Sequence, residues 1–430
     1  MGQGRPLNAR AWLDRLGPFR HRPFVVYWSG GLLSNLGTWL QAVAGAVFVY
    51  QLTGSPLAVG VLNFAGFLPI LLFSVVGGVI SDRFDRRLVI LVTHAASLAI
   101  AALLSVLALA GSATEIHVIA AAFALNTAYA IAKPSIIALI PSLVPRAELT
   151  EAVGLNSLQF ITAQILGPTI AAIVLATSGA GPAFAINALT FVGPILVVAY
   201  LWRARLGGHA PEPARKAATR PTTGGAVAYV REHRWVVALL AGVVACSAPL
   251  EVVRTLSPAL VVEGLGEAES TAGIVVAAQS VGSALALLVF VPLRRRGRSW
   301  QAAGLGLVLQ AVGLLGTAVA PSLAAVAVSV ALVGAGFSLC FPVLTGSLQE
   351  EVDDSLRGRI MAFHQMAHLG NRPFTALAVG AIATGLGPRL ALAAGVVLVP
   401  FGLLAARAAR RRLGGEERAP VGAEPAGAFD

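Results

Sequence analysis

The chain is short of charge. Of its 430 residues only 12% are Asp, Glu, Lys or Arg, while 57% are apolar. A soluble domain carries roughly 25% charged residues, so this sequence cannot wet the surface of a globule. Lysine is nearly missing, with Lys133 and Lys216 the only two. Neither stands in a G-x-x-x-x-G-K-[ST] loop, which excludes ATP hydrolysis at a Walker A site and leaves an ion gradient as the natural energy source. Cysteine is scarce too. Cys246 and Cys340 each lie inside an apolar run, so no disulfide framework is implied and both are expected as small buried side chains.

What is present is apolar sequence in long runs. About twelve are long enough to cross a bilayer as helices, and none shows the alternating ten-residue pattern of outer-membrane strands. The expected fold class is therefore an all-α membrane protein of twelve transmembrane helices in two six-helix halves. The first run, Phe24 to Tyr50, is too long for the apolar core of a secretory signal and is read as the first span. The organisation predicted is a cytoplasmic N-terminal segment (1–23), a six-helix bundle (24–202), a Pro-, Gly- and Arg-rich cytoplasmic linker (203–234), a second six-helix bundle (235–407) and a disordered cytoplasmic tail (408–430). The 46 glycines suit close helix contact in lipid.

The basic residues give orientation. With the N-terminus inside, 27 of the 31 Lys and Arg fall in inner segments. Only Arg389 falls outside, and Lys133, Arg254 and Arg372 lie within spans. This is the positive-inside pattern, and it places both termini in the cytoplasm of an inner membrane. The net charge of +11 is thus a topology signal and an attraction to anionic lipid, not a nucleic-acid footprint.

Several segments carry a resemblance. GVISDRFDRR, with Gly78, Asp82, Arg83, Asp85, Arg86 and Arg87, lies between spans 2 and 3. With FRHRPFVVYWSGGLLSNLGTWLQ, VYQLTGSPLAVG, PSLVPRAELTEAVGLNS and LRGRIMAFHQMAHLG, it resembles the major facilitator superfamily, in its drug and siderophore (enterobactin-exporter-like) efflux branch. Asp85 stands where that family has a second glycine. The resemblance implies two six-helix halves, an architecture that the weak echo between IPSLVPRAELTEAVGLN and LQEEVDDSLRGRIMAFH also suggests. It implies a gating role for the loop, with Asp82 pairing with Arg86 or a neighbouring helix; the alternative is a topogenic loop only. Gly167 and Pro168 resemble the helix-5 antiporter motif, although Ala171 and Ala172 replace its following glycine pair. The alternative there is an ordinary kink.

Ionisable residues inside spans are costly and point to function. Of the 20 acids, only Glu251 falls near the middle of a run. Arg254 is three residues on, on the same helix face, and Pro249 loosens the backbone before them. A buried carboxylate beside a cation can stay charged, and takes a proton when that contact is lost. Glu251 and Arg254 are therefore either a proton switch or a static packing pair. Span 11 carries His364, His368 and Arg372 at i, i+4 and i+8. Its HQMAH resembles a zincin HExxH, but Gln365 occupies the place of the general base, which argues against an enzyme and against a metal. One of these histidines is a second proton-relay candidate. Lys133, before Pro134, either faces the substrate cavity of this fold or snorkels to the interface; Asn35, Gln41 and Arg372 are further cavity candidates.

These residues lead to a proton-coupled secondary exporter of amphipathic small molecules. An importer of the same fold and a non-transporting receptor or scaffold remain as alternatives. The expected partners are a small-molecule substrate, protons and membrane lipids, with no cofactor, no metal, no nucleic acid and a monomeric state. The topology is directly testable. A reporter fused after Arg220 should report the cytoplasm and one fused after Glu267 the exterior; the reverse pattern would contradict the twelve-span arrangement.

Overall fold

A computed structural model describes residues 17–207 and 223–412. The predicted tail from residue 413 and the middle of the predicted linker lie outside the described residues, as does most of the N-terminal segment. No strand occurs among the described residues. The chain divides into two compact units, Met1–Thr53 with Ala65–Ala218, and Gly54–Phe64 with Thr219–Asp430. The segment 54–64 is thus grouped with the second unit, apart from its chain neighbours.

The first unit is built from α1 (Arg22–Thr53), most of α2 (Pro56–Arg83), α3 (Arg86–Leu109), α4 (Glu115–Leu139), α5 (Leu149–Ser178), α6 (Ala180–Thr190) and α7 (Val192–Arg203). An apolar cluster in it joins Phe24 and Tyr27 of α1 to Ile90, Leu139, Ala152, Val198 and Leu201. The second contains α8 (Thr223–Glu232), α9 (Arg234–Ala259), α10 (Ala272–Arg295), α11 (Ser299–Val319), α12 (Leu323–Glu351), α13 (Asp354–Leu386), α14 (Pro388–Ala394) and α15 (Leu398–Arg412). The helix α8 shows that the 203–234 segment is not irregular throughout: its Tyr229 and Val230 pack against the second unit's core.

Eleven stretches among the described residues are long and apolar enough to cross a membrane. The remaining predicted span, 359–384, is part of the 33-residue α13. That helix carries His364, His368, Asn371 and Arg372, and these set it apart from the other eleven. Large apolar side chains such as Val75, Leu103, Leu196, Leu288 and Val328 are exposed along the helices. In water they would form an aggregating surface; against lipid tails they cost nothing.

Lipid gives little hydrophobic drive for one helix to join another, so contact depends on close backbone approach and interhelical hydrogen bonds. The glycines provide the first. A Cβ on Gly282 of α10 would strike the backbone of Ala331 in α12, with the carbonyl carbon at 2.6 Å. One on Gly334 of α12 would strike Gln279, with its carbonyl carbon at 2.9 Å. Ser283 then donates to the Gly334 carbonyl at 2.9 Å across the same crossing. Arg389, the basic residue that the charge pattern left on the outer side, has a helix-end role. It donates to the carbonyls of Gly264 (2.7 Å), Ala318 (2.8 Å) and Ala320 (3.0 Å), meeting helix C-termini whose dipoles favour a cation.

The α10–α12 crossing predicts a contrast within one helix. Gly334→Ala should destabilise the protein by about 1–3 kcal/mol, as overpacking does. Gly346→Ala, which would meet nothing within 4 Å, should be neutral or slightly stabilising. Melting temperatures of the two purified variants give the comparison; equal shifts would contradict the close-approach account.

Candidate functional site

The site grows from α9, a helix whose middle is buried on every side. Residues 245–253 and 255–259 are all buried. Such a helix can hold a polar group only if neighbours supply partners. Pro249 and Pro258 interrupt its backbone hydrogen bonding. Pro258 has no N–H for the Arg254 carbonyl, and the Ser257 hydroxyl donates there at 3.0 Å instead. Around Pro249, Gln310 donates to the Cys246 carbonyl at 2.7 Å and Gln279 to the Leu250 carbonyl at 3.2 Å. The loosened turn is thereby tied to α10 and α11.

Glu251 sits on that turn and is 1% exposed, the one Asp or Glu buried among the described residues. One turn on, the Thr255 hydroxyl makes a long hydrogen bond to Glu251 Oε1, 3.5 Å. Asn63 of α2 donates to Thr255 Oγ1 at 3.0 Å. Glu251 Oε2 is buried with no hydrogen-bond partner. Two guanidinium groups act on this carboxylate through their charge, Arg254 of α9 and Arg372 of α13. The hydrogen bonds given for the Glu251 side chain thus run through Thr255 to Asn63, while Arg254 and Arg372 are the cations whose charge acts on it.

The predicted stripe on α13 continues this cluster. Arg372 Nη2 donates to His368 Nε2 at 3.4 Å, and His368 lies against the rings of Phe337 and Phe341, with centroids 5.8 and 4.5 Å away. His364 is buried, with Nε2 2.9 Å from Thr345 Oγ1 and Nδ1 without a hydrogen-bond partner. Asn371 donates to Ser247 Oγ at 2.9 Å, joining α13 to α9. No group of three or more His, Cys, Asp or Glu that could hold a metal occurs among the described residues.

The other expected site residues lie in the first unit. Asn35 donates to Gln159 Oε1 at 3.1 Å, and Gln41 accepts from Asn187, so both serve helix contacts from α1. Lys133 is exposed, its Nζ 5.5 Å from the centre of the Tyr129 ring. Gly167 and Pro168 are buried, and Gly167 packs on α1 so closely that a Cβ would strike Trp39 and come within 3.1 Å of the Leu36 carbonyl.

In the loop between α2 and α3 the roles differ from those expected. Asp82 and Arg83 are exposed, and Asp82 makes no ion pair among the described residues; Arg86 donates to the Ala138 carbonyl at 2.9 Å. Asp85 carries the interactions. It caps α3 by accepting from the Arg87 N–H at 2.8 Å, and it pairs with the Arg87 guanidinium at 2.8 Å. Arg87 also reaches the Leu206 carbonyl at 3.3 Å and lies 5.8 Å from the Trp202 ring centre. Gly78 has open space where a Cβ would point. Its neighbour Gly77 is the close-contact glycine, with the Ala130 carbonyl and Ile131 Cα in the way at 2.5 and 2.9 Å.

Sequence reasoning missed Asn63, Thr255, Ser247 and Asn371. Thr255 had a signal, its i+4 spacing from Glu251. Asn63 had none, because only the tertiary fold brings it to α9.

The fold has well-matched precedents among solved transporters. The chain aligns with the nucleoside transporter NupG at a TM-score of 0.74, covering 90% of this chain and 99% of that one at 11% identity. It aligns with a bacterial homologue of the iron transporter ferroportin at a TM-score of 0.68, covering 90% and 98% at 15% identity. These likenesses define the major facilitator fold. Residues 14–421 match the family described as transmembrane secretion effectors, and the chain belongs to that major facilitator family. Two curated relatives are similar over shorter stretches. One is a staphyloferrin A transporter of Staphylococcus aureus, 29% identical over 40% of this chain and 43% of the relative. The other is macrolide efflux protein A of Streptococcus pyogenes, 30% identical over 43% and 45%. The match thus spans less than half the length of either.

Asp85 generates a pH-dependent prediction. Partial burial pushes its carboxyl up, but the side-chain and backbone hydrogen bonds of Arg87 outweigh this and hold it below the usual carboxylate range. A carboxyl lowered in the folded state adds stability above its unfolded pKa of about 3.9 and loses it as pH falls through the folded value. Asp85→Ala should cost about 1 kcal/mol at neutral pH through the lost cap. Asp85→Asn, which keeps a cap oxygen but no charge, should cost less, and its gap from wild type should close as pH drops below about 4. Melting temperatures against pH measure both, and a gap constant with pH would contradict the ion pair.

Proposed function

We propose that this protein is a proton-coupled secondary exporter of amphipathic small molecules, working by alternating access with both ends in the cytoplasm. The family and the relatives are membrane transporters, and a relative named for macrolide efflux supports the outward direction. One observation carries the coupling. Glu251 is the single buried acid among the described residues, in the buried middle of α9, with Arg254 of the same helix and Arg372 acting on it. Intramembrane carboxylates are retained for work such as proton transfer, because packing alone is served better by apolar residues. Thr255 and Asn63 provide a hydrogen-bonded path to it. His364 and His368 are the second candidates, one turn apart on α13.

Glu251→Gln fixes the neutral form while keeping shape. Reconstituted in proteoliposomes holding a pH-sensitive dye, the wild type should move protons when challenged with a panel of amphipathic acids, amines and macrolides. The variant should fall to the protein-free background and lose concentrative uptake, yet purify as a folded monodisperse protein. Undiminished proton movement in Glu251→Gln would contradict the assignment and pass it to His364 or His368.

A further inference from the structure

Lys133 stands apart from the residues gathered around Glu251. It is exposed on α4, six residues before the helix ends at Leu139. Among the described residues it makes no ion pair. Glu115, the one acid of α4, lies at the far end of the helix. The place of Lys133 in the sequence allows two settings, a water-lined path or snorkelling to the interface, and the direction of its side chain decides between them.

Side chains of an α-helix lean toward its N-terminus. Lys133 follows that lean: its Nζ lies 5.5 Å from the centre of the Tyr129 ring, one turn back along α4. A snorkelling lysine would turn the other way, toward Leu139 and the nearer helix end. Tyr129 is ten residues before Leu139, roughly 15 Å along the axis. That is about half the thickness of a bilayer core. The ammonium is therefore held at depth. In hydrocarbon that position would cost more than one aromatic ring returns, so the exposed face of α4 here meets water and not lipid tails. The same face suits an amphipathic anion. The Tyr129 hydroxyl makes no hydrogen bond among the described residues and is a second donor on it. Ile137, one turn beyond Lys133, is 49% exposed and sets apolar surface beside the charge.

We propose that Lys133, with the Tyr129 hydroxyl, forms a binding subsite for the anionic group of the transported molecule, making amphipathic organic anions the preferred substrate class. The ammonium is a point charge that meets a carboxylate without a fixed fork, and Ile137 meets the apolar body. The proposal deepens the transport reading given above and rests on it for its physiological meaning, but the binding itself needs no gradient.

Two measurements on the full-length protein test it. In the first, Lys133→Cys in proteoliposomes is treated on both faces with sulfonatoethyl methanethiosulfonate, a membrane-impermeant thiol reagent. The variant should be modified, while wild type, whose Cys246 and Cys340 are buried, should not. A folded variant left unmodified would place this position against lipid tails and overturn the proposal. The second is equilibrium binding of 2-naphthoate and 2-naphthamide, which share a ring system and differ in charge, in detergent at neutral pH. Wild type should bind the acid about tenfold tighter than the amide, the factor that separates a charge-assisted hydrogen bond from a neutral one. Lys133→Gln should bring the ratio close to one, Lys133→Arg should keep most of it, and Tyr129→Phe should lower it part of the way. Equal affinity of wild type for acid and amide, binding of neither, or a preference undiminished in Lys133→Gln would overturn the proposal. So would displacement of the bound acid by phosphatidylglycerol but not by octanoate, which would assign the ammonium to a lipid headgroup. Neither readout needs a gradient, so a failure of proton coupling and a failure of anion binding are read separately. Should Lys133→Gln not fold, the ratios of wild type and Tyr129→Phe still decide.

Discussion

In hydrocarbon there is no water to satisfy a polar group, so each interruption of a helix must be answered by a neighbour. The arrangement around α9 follows from that constraint. Its two prolines free carbonyls that an isolated helix would leave bare. Ser257 answers one from within, and Gln279 and Gln310 reach neighbouring carbonyls from α10 and α11. Those contacts allow a loosened turn to persist in a fully buried helix. That turn presents Glu251 to Thr255, Arg254 and Arg372. The same constraint explains why Asn35, Gln41, Gln159 and Asn187 of the first unit are engaged with one another across helices.

Close contact is the complementary requirement. Where burial against lipid gives little net attraction, backbones must approach, and glycine permits it. Gly282 and Gly334 do this between α10 and α12, and Gly167 does it between α5 and α1. Gln279, whose backbone takes part in the α10–α12 crossing, also donates from its side chain to the Leu250 carbonyl of α9, so the close packing reaches the turn that holds Glu251.

The helical spans were legible because span length and apolarity are one-dimensional properties, set by bilayer thickness. Span α13 was legible too, although its polar stripe keeps it out of the set of plainly apolar helices. Glu251 stood out by elimination, as the only acid in a run. Its setting was half legible: Arg254 and Thr255 follow from helical spacing, while Arg372 and Asn63 arrive from other helices and leave no local trace. The loop after α2 shows a different failure. Asp82 fitted the family pattern, but Asp85 immediately precedes α3 and takes the cap, a preference that capping physics would have indicated. Likewise Gly78 fits the motif while Gly77 meets the neighbouring backbone, since sequence does not tell which of two adjacent glycines faces a helix. Thr223–Glu232 was hidden in a Pro- and Gly-rich stretch because its order comes from packing Tyr229 and Val230 on the second core.

The central claim is that Glu251 exchanges a proton within the folded protein. Isotope-edited infrared spectroscopy reads this at the group itself, through the carbonyl stretch of a protonated carboxyl. A band absent from Glu251→Gln should appear as pH is lowered across the range in which the protein remains folded, and should shift in Thr255→Val, which removes the hydroxyl at 3.5 Å. A carboxyl that stays in one protonation state throughout that range, with no such band or with one that never changes, would contradict the account.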